Sequence, residues 1–340
     1  MIYLNNTYTI YLDKNLYQLL EKDREAFKYK NKGPFIKAII SNYNEEFQRD
    51  FYKLEEKIIK TIGNNNDIDS YRINNFCWQI AKINIHGMCK LHELENEPKK
   101  TKRISLRENK DEILFDISEK FYIDTNITAN EYYNTILYSY INLPKTKREK
   151  IVFQPIYKKL QSAIKDKNKI KIKYRSNTTE QTHEETVLPY EICPHKDQMY
   201  NYLLFQNTNE NGEPSLKTVH LYNIIKVTKL TEIGTFEPKI IEYFNRMKKN
   251  GPQFYIGNSD KIIRLKFLED GLKLYNLRYI ERPVGTIIDE EEQIYEFDCS
   301  YLQFSKYFAS FYNKIKIIEP QEYIDKLTST LTNTLDIYKQ

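Results

Sequence analysis

Glycine is scarce in this chain, with nine in 340 residues. None stands in a phosphate-cradling G-x-x-x-x-G-K-[ST] or G-x-G-x-x-G pattern, and neither H-E-x-x-H nor G-x-S-x-G occurs. The motifs of nucleotide hydrolases, dinucleotide-dependent enzymes, zinc proteases and serine hydrolases are therefore missing, and the chain reads as non-enzymatic, with no cofactor. His183 with Glu184 and Glu185 reads as a polar loop before a strand rather than an acid–base set. Cysteine is also sparse: Cys77, Cys89, Cys193 and Cys299 form no C-x-x-C pair, and the five histidines have no ligand spacing with them. No metal site is expected, and the thiols read as free and buried. No apolar run approaches the roughly 20 residues of a membrane span. The opening MIYLNNTYTIYLDK lacks the basic-then-apolar layout of a signal peptide, so a cytoplasmic protein without membrane contact is expected. The single tryptophan, Trp78, lies beside Phe76 and Ile80 and reads as core.

What is present is charge of one sign in one place. The net charge is only +5, but Lys145 to Arg175 contains twelve Lys or Arg against Glu149 and Asp166, which leaves the rest of the chain at −5. A second basic run comprises Lys99, Lys100, Lys102, Arg103 and Arg107, whereas Glu281 to Asp298 holds seven acids and one Arg. Such asymmetry attracts polyanions to one part of a molecule.

Two stretches also repeat one order of elements: strand, helix, helix. Thr7 to Leu12 alternates Ile10 and Leu12 inward with Thr7, Thr9 and Tyr11 outward. Lys102 to Arg107 alternates Ile104 and Leu106 inward with Arg103, Ser105 and Arg107 outward. First helices follow, carrying Leu16, Leu19 and Leu20 in one repeat and Ile113, Leu114 and Ile117 in the other. The second helices open at Gly33-Pro34 and at the capping box Thr128 to Glu131. Their apolar positions superimpose without a gap: Phe35 on Tyr132, Ile36 on Tyr133, Ile39 on Ile136, Ile40 on Leu137, Tyr43 on Tyr140. A lone strand with two one-faced helices cannot bury itself, so the halves are expected to pair as a tandem ribbon-helix-helix pseudo-dimer. Its outward ribbon residues would fit a DNA major groove. The alternative is that the ribbon only pairs the halves.

From Pro155 to Leu230 the pattern changes to a helix (Ile156, Leu160, Ile164) and short strands: 169–174, 186–190, 199–205, 216–221 and 224–227. Strands at this spacing imply a small barrel. Lys171, Lys173 and Arg175 supply charge, and Tyr174, Tyr190, Tyr200, Tyr202 and His220 supply rings that could stack unpaired bases, although with 29 tyrosines in the chain each one alone reads first as half-buried structure.

The order of a strand ending in Tyr174, a Leu-Pro segment at Pro189, Tyr202-Leu203 and an Ile-x-x-Val ending at Val227 resembles the WYL domain. Asn201 stands where that family has tryptophan, and His220 and Asn223 stand at its usual arginines, departures that fall on the family's usual ligand residues and not on its barrel. Joined to the N-terminal repeats, this arrangement is most similar to the WYL proteins that accompany type VI, RNA-targeting CRISPR effectors. The resemblance implies an α+β multidomain protein of three parts. Residues 1–150 would be the tandem ribbon-helix-helix (repeats about 7–47 and 102–143) with a helical insertion at 44–98. Residues 151–232 would be an Sm-like or SH3-like barrel, and 233–340 an α+β C-terminal extension that commonly mediates homodimerisation. It implies no catalysis and a single-stranded RNA or nucleotide site, to which Lys171, Lys173, Tyr174, Arg175, Tyr190, Tyr200, Tyr202, Lys217, His220 and Asn223 are assigned. A CRISPR effector would be the partner. The other reading is a DNA-binding transcriptional regulator that uses Thr7, Thr9, Tyr11, Arg103, Ser105 and Arg107.

Overall fold

The computed structural model describes residues 7–62, 101–107, 128–176, 180–194, 197, 199–208, 212–254 and 261–339. They fall into two compact units, Met1–Pro155 and Ile156–Gln340.

In the first unit, β1 (Thr7–Asp13) and β2 (Thr101–Arg107) form an antiparallel two-stranded ribbon. Thr7 lies opposite Arg107, Thr9 opposite Ser105, and Tyr11 opposite Arg103. Period-two alternation buries Ile10, Leu12, Ile104 and Leu106 beneath it, while Tyr11, Arg103 and Ser105 are exposed. At the end of β1, the Asp13 carboxylate accepts from the Leu16 amide at 2.7 Å and caps α1 (Lys14–Ala26). Helix α1 buries Leu16 and Leu20, but Leu19, expected on that face, is 37% exposed. Residues 16 and 20 are one turn apart, and 19 lies off their axis when the stripe is narrow.

Helix α2 (Lys32–Ile62) runs through the expected repeat boundary. One 31-residue helix contains both the second helix of the first repeat and the start of the expected insertion. No Gly or Pro interrupts residues 35–62, and a single buried stripe runs from Phe35, Ile36, Ile39, Ile40 and Tyr43 through Phe47 to Phe51. Helix α3 (Ala129–Ile141) begins where the Thr128 hydroxyl accepts from the Glu131 amide at 3.3 Å, and it buries Tyr132, Tyr133, Ile136, Leu137 and Tyr140. Each such side chain contributes roughly 1.5–3 kcal/mol on burial. Helix α4 (Lys145–Val152) closes the unit. Ile113, Leu114, Ile117, Trp78 and the remainder of the insertion lie outside the described residues.

Helix α5 (Gln154–Lys165) runs from the end of the first unit into the second, where β3 (Asn168–Arg175), β4 (Thr182–Pro194), β5 (Asn201–Thr208), β6 (Pro214–His220) and β7 (Ile224–Ile233) follow. These strands make an antiparallel sheet in the order β6-β5-β4-β3-β7. The expected closed barrel is corrected here, because no ladder joins β6 to β7 among the described residues. A three-residue 3-10 turn, Leu221–Asn223, separates those two strands, and β7 crosses to the far edge to pair with β3. Closure requires the two edges to hydrogen-bond along their length. Proline cannot donate to a ladder, and the β4–β5 register shifts between Pro189 and Glu191.

Helix α6 (Pro238–Asn250) lays Ile240, Phe244 and Met247 against Cys193, Tyr202, Leu204 and Leu216. Beyond it lies a four-stranded sheet in the order β11-β8-β10-β9: β8 (Ile263–Phe267), β9 (Gly285–Asp289), β10 (Ile294–Phe297) and β11 (Ile315–Glu319). With α7 (Gly271–Leu277), α8 (Tyr301–Phe308) and α9 (Gln321–Lys339) it builds an aromatic core around Phe267, Tyr275, Phe297 and Phe308. No helix among the described residues is long and apolar enough to cross a membrane.

Candidate nucleic-acid interface

Alternation along β3 sends Ile170, Ile172 and Tyr174 inward and Lys171, Lys173 and Arg175 outward. The neighbouring strands complete the outward face. On β4, Thr186, Glu184 and Thr182 lie opposite Lys171, Lys173 and Arg175. On β7, Thr228 lies opposite Lys171 and Lys226 opposite Lys173. The result is four exposed cations around one acid. Among the described residues, Lys173, Arg175 and Lys226 have no carboxylate within ion-pair distance, whereas Lys171 pairs with Glu184 at 2.7 Å. The Lys171 ammonium, by hydrogen bond and by charge, holds the Glu184 carboxyl below its ordinary value, and the charges of Lys173 and Lys226 add to the effect. Sequence reading missed Lys226, because a lone lysine between Ile225 and Val227 carries no signal until β7 pairs with β3.

The twelve-cation stretch is not twelve free charges. It is divided between the two units, and much of it is neutralised. Lys147 pairs with Glu46 at 2.5 Å, Arg148 with Asp23 at 2.6 Å, and Lys169 with Glu232 at 2.5 Å. The opposing carboxylates come from distant strands and helices, out of reach of any local count of charge.

Tyr174 and Lys217 belong to a different cluster. The Tyr174 hydroxyl donates to Glu185 Oε1 at 2.8 Å, Lys217 Nζ donates to both Glu185 oxygens at 3.1 and 3.2 Å, and Asn207 Nδ2 donates to Oε2 at 2.7 Å. Burial alone would raise the Glu185 carboxyl, but the hydrogen bonds from Tyr174 and Lys217 hold it below its ordinary value. Burial raises the Tyr174 phenol, and so does its bond to a carboxylate. The ring stacks on His183 at 5.6 Å, inside the sheet. Glu185, read from the sequence as loop, is the acceptor that organises this group.

Tyr190 is removed from the expected site too. It stacks face to face on Phe244 at 4.3 Å and meets Phe236 edge-on at 5.3 Å, under α6. Asn223 is buried in the turn between β6 and β7. By contrast, Tyr200, Tyr202 and His220 do come together. Tyr202 lies 4.1 Å from the His220 ring, Tyr200 5.6 Å from it, and Tyr222, which sequence reading did not single out, lies 4.7 Å from His220 and 5.4 Å from Tyr200. The β5–β6 register, which sets Tyr202 opposite His220, assembles this cluster.

The cations and this aromatic cluster lie far apart along β4. Glu184 marks the position of Lys173 and Cys193 that of Tyr202. Nine residue steps separate them, at most roughly 30 Å of strand, a span that an extended chain of several nucleotides can follow.

In the first unit the ribbon presents Tyr11, Arg103 and Ser105 outward. Asn130 Oδ1 accepts from the Tyr11 amide at 2.7 Å and Asn134 Nδ2 donates to the Tyr11 carbonyl at 3.0 Å, tying the strand to α3. Thr9 lies opposite Ser105; Thr7 and Arg107 are placed by register only.

Residues 155–209 match the family model of the WYL domain. No curated protein matches the chain. Among solved structures, one described as a CRISPR Cas-related protein is similar at 16% identity, covering 100% of this chain and 95% of that one, with a TM-score of 0.64. Proteasome accessory factor B/C (PafBC) of Arthrobacter aurescens is similar at 11% identity over 77% of this chain and 36% of that one, with a TM-score of 0.26. The first likeness is one of fold.

Proposed function

From the premise that this chain carries a WYL domain at residues 155–209, we propose that it is a non-enzymatic nucleic-acid-binding regulatory protein. In this reading its five-stranded sheet holds single-stranded RNA. Lys171, Lys173, Arg175 and Lys226 take backbone phosphates, and the half-buried Tyr200, His220 and Tyr222, backed by the buried Tyr202, offer rings to unpaired bases. The observation that carries the proposal is that Lys173, Arg175 and Lys226, on one face of β3 and β7, have no carboxylate partner among the described residues, with the ring cluster further along the same sheet. The fold shared with a CRISPR Cas-related protein supports a CRISPR effector as partner, type VI by the resemblance noted above. Homodimerisation through the C-terminal part is supported by α9, whose second half leaves Leu331, Leu335, Ile337 and Tyr338 more than half exposed.

The test is fluorescence anisotropy with a short single-stranded RNA and a duplex DNA across a salt series. Single-stranded phosphate contacts give a log–log slope of about −0.7 each, so Lys173→Glu with Lys226→Glu should flatten the RNA slope by about 1.4. Melting temperature should not change. An unaltered slope would overturn the proposal. A second reading rests on the exposed ribbon face of Tyr11, Arg103 and Ser105: a DNA-binding transcriptional regulator with the WYL domain as sensor. There, Arg103→Ala with Arg107→Ala would abolish duplex binding and spare RNA.

A further inference from the structure

Among the described residues, Glu184 is the acid set between Lys171, Lys173, Arg175 and Lys226; the next acid on this face, Glu232, is bound to Lys169 at 2.5 Å, beyond Lys171 on β3. Its neighbours on β4, Thr182 and Thr186, are neutral, and so is Thr228 across β3. It lies directly opposite Lys173, with Lys226 on the other side of that lysine, and its carboxylate bonds diagonally to Lys171 at 2.7 Å. An anion fixed at the centre of a cationic patch occupies the place where an approaching anion would be held most strongly. Both members of the pair are about half exposed, so water screens it and the carboxylate can swing away at little cost.

We infer that Glu184 is a built-in counter-ion that stands where a backbone phosphate of the bound strand is held, and that binding exchanges this carboxylate for the phosphate. The inference rests on the interface proposed above and adds a specificity element to it. A ligand with a single phosphate gains little, because it only replaces an anion already present. A strand with successive phosphates engages Lys173, Arg175 and Lys226 at the same time and offsets the exchange. Glu184 thus selects polymer over mononucleotide.

The test uses the full chain, with a short single-stranded RNA and uridine monophosphate as probes. Glu184→Gln preserves side-chain shape and removes the charge. It should tighten RNA binding roughly two- to five-fold at about 0.1 M salt and steepen the log–log salt slope by about 0.7, as Lys171 becomes available to a phosphate. Uridine monophosphate should gain proportionally more than RNA does. Thr186→Glu, which adds a second carboxylate opposite Lys171, should weaken RNA binding and so provides an independent variant. If the wild-type chain binds RNA and neither substitution alters affinity or slope, the counter-ion role is overturned and the interface stands. If folded wild-type and Glu184→Gln chains both fail to bind, the interface and the counter-ion fall together.

Discussion

Arg148 belongs by sequence to the basic stretch, yet its surroundings are those of a structural ion, and the two roles have opposite consequences. Its Nη1 donates to Asp23 Oδ2 at 2.6 Å, and the Tyr140 hydroxyl donates to the same oxygen at 3.1 Å. Asp23 is 4% exposed and Tyr140 fully buried. Burial raises the Asp23 carboxyl above its ordinary value, more than the Arg148 charge lowers it. Replacing Arg148 with Met would leave a buried carboxylate supported by one phenol. Breaking such a pair costs about 3–5 kcal/mol, and the partial exposure of the arginine side chain, 17%, argues for the lower end. In a unit of this size, about 3 kcal/mol lowers the melting midpoint by roughly 6–12 °C.

The loss should also depend on pH. With the arginine gone, the folded-state pKa of Asp23 rises further above its unfolded value. Its contribution to stability is then present below the unfolded pKa, roughly 4, and is lost as pH rises through the folded pKa. The deficit against wild type should be small near pH ~4 and largest near neutrality. Thermal denaturation followed by circular dichroism at acid and neutral pH reads this, and RNA anisotropy on the same variant should be unchanged. A variant that melts with wild type, or one that melts normally but loses RNA affinity, would refute the assignment of Arg148 to the core and return it to the binding surface.

Glu185→Gln should destabilise the second unit by about 1–3 kcal/mol, since three donors lose a charged acceptor. Because the folded pKa of Glu185 is depressed, the wild-type advantage should be present above the unfolded pKa and vanish as pH falls through the folded one, which acid titration of unfolding would register. Tyr190→Ala removes a ring stacked on Phe244 and should cost about 3 kcal/mol of stability with no loss of RNA affinity in the fraction that remains folded. Tyr222→Ala should do the reverse, weakening single-stranded RNA binding by about 1–3 kcal/mol if a base stacks there, with little change in melting temperature.

The CRISPR-related fold likeness spans the whole chain, but identity at that level transmits architecture, not contacts. The chemistry on the outward face of this sheet is set by a few registers. Lys173 acquires Glu184 on one side and Lys226 on the other only because β3 lies between β4 and β7.

Local order was legible from residues alone. Strict alternation in Lys169 to Arg175 specified β3 and its two faces, and the Thr128 hydroxyl marked the start of α3. The inward Ile and Leu of the two short strands marked the ribbon that β1 and β2 form. These signals depend on neighbours within a few residues, where periodicity and capping act. Three things did not depend on neighbours. Whether the central sheet closes is decided by hydrogen bonds between its edges, residues far apart in sequence. Whether a lysine is available is decided by carboxylates such as Asp23, 125 residues from Arg148, and Glu184, which reaches Lys171 through strand pairing. Whether a tyrosine can meet a base is decided by what covers it, Phe244 for Tyr190 and other rings of the same cluster for Tyr200. Periodicity and composition are properties of the chain as a line, whereas charge balance and exposure arise from pairing and packing, and so only the folded molecule could settle them.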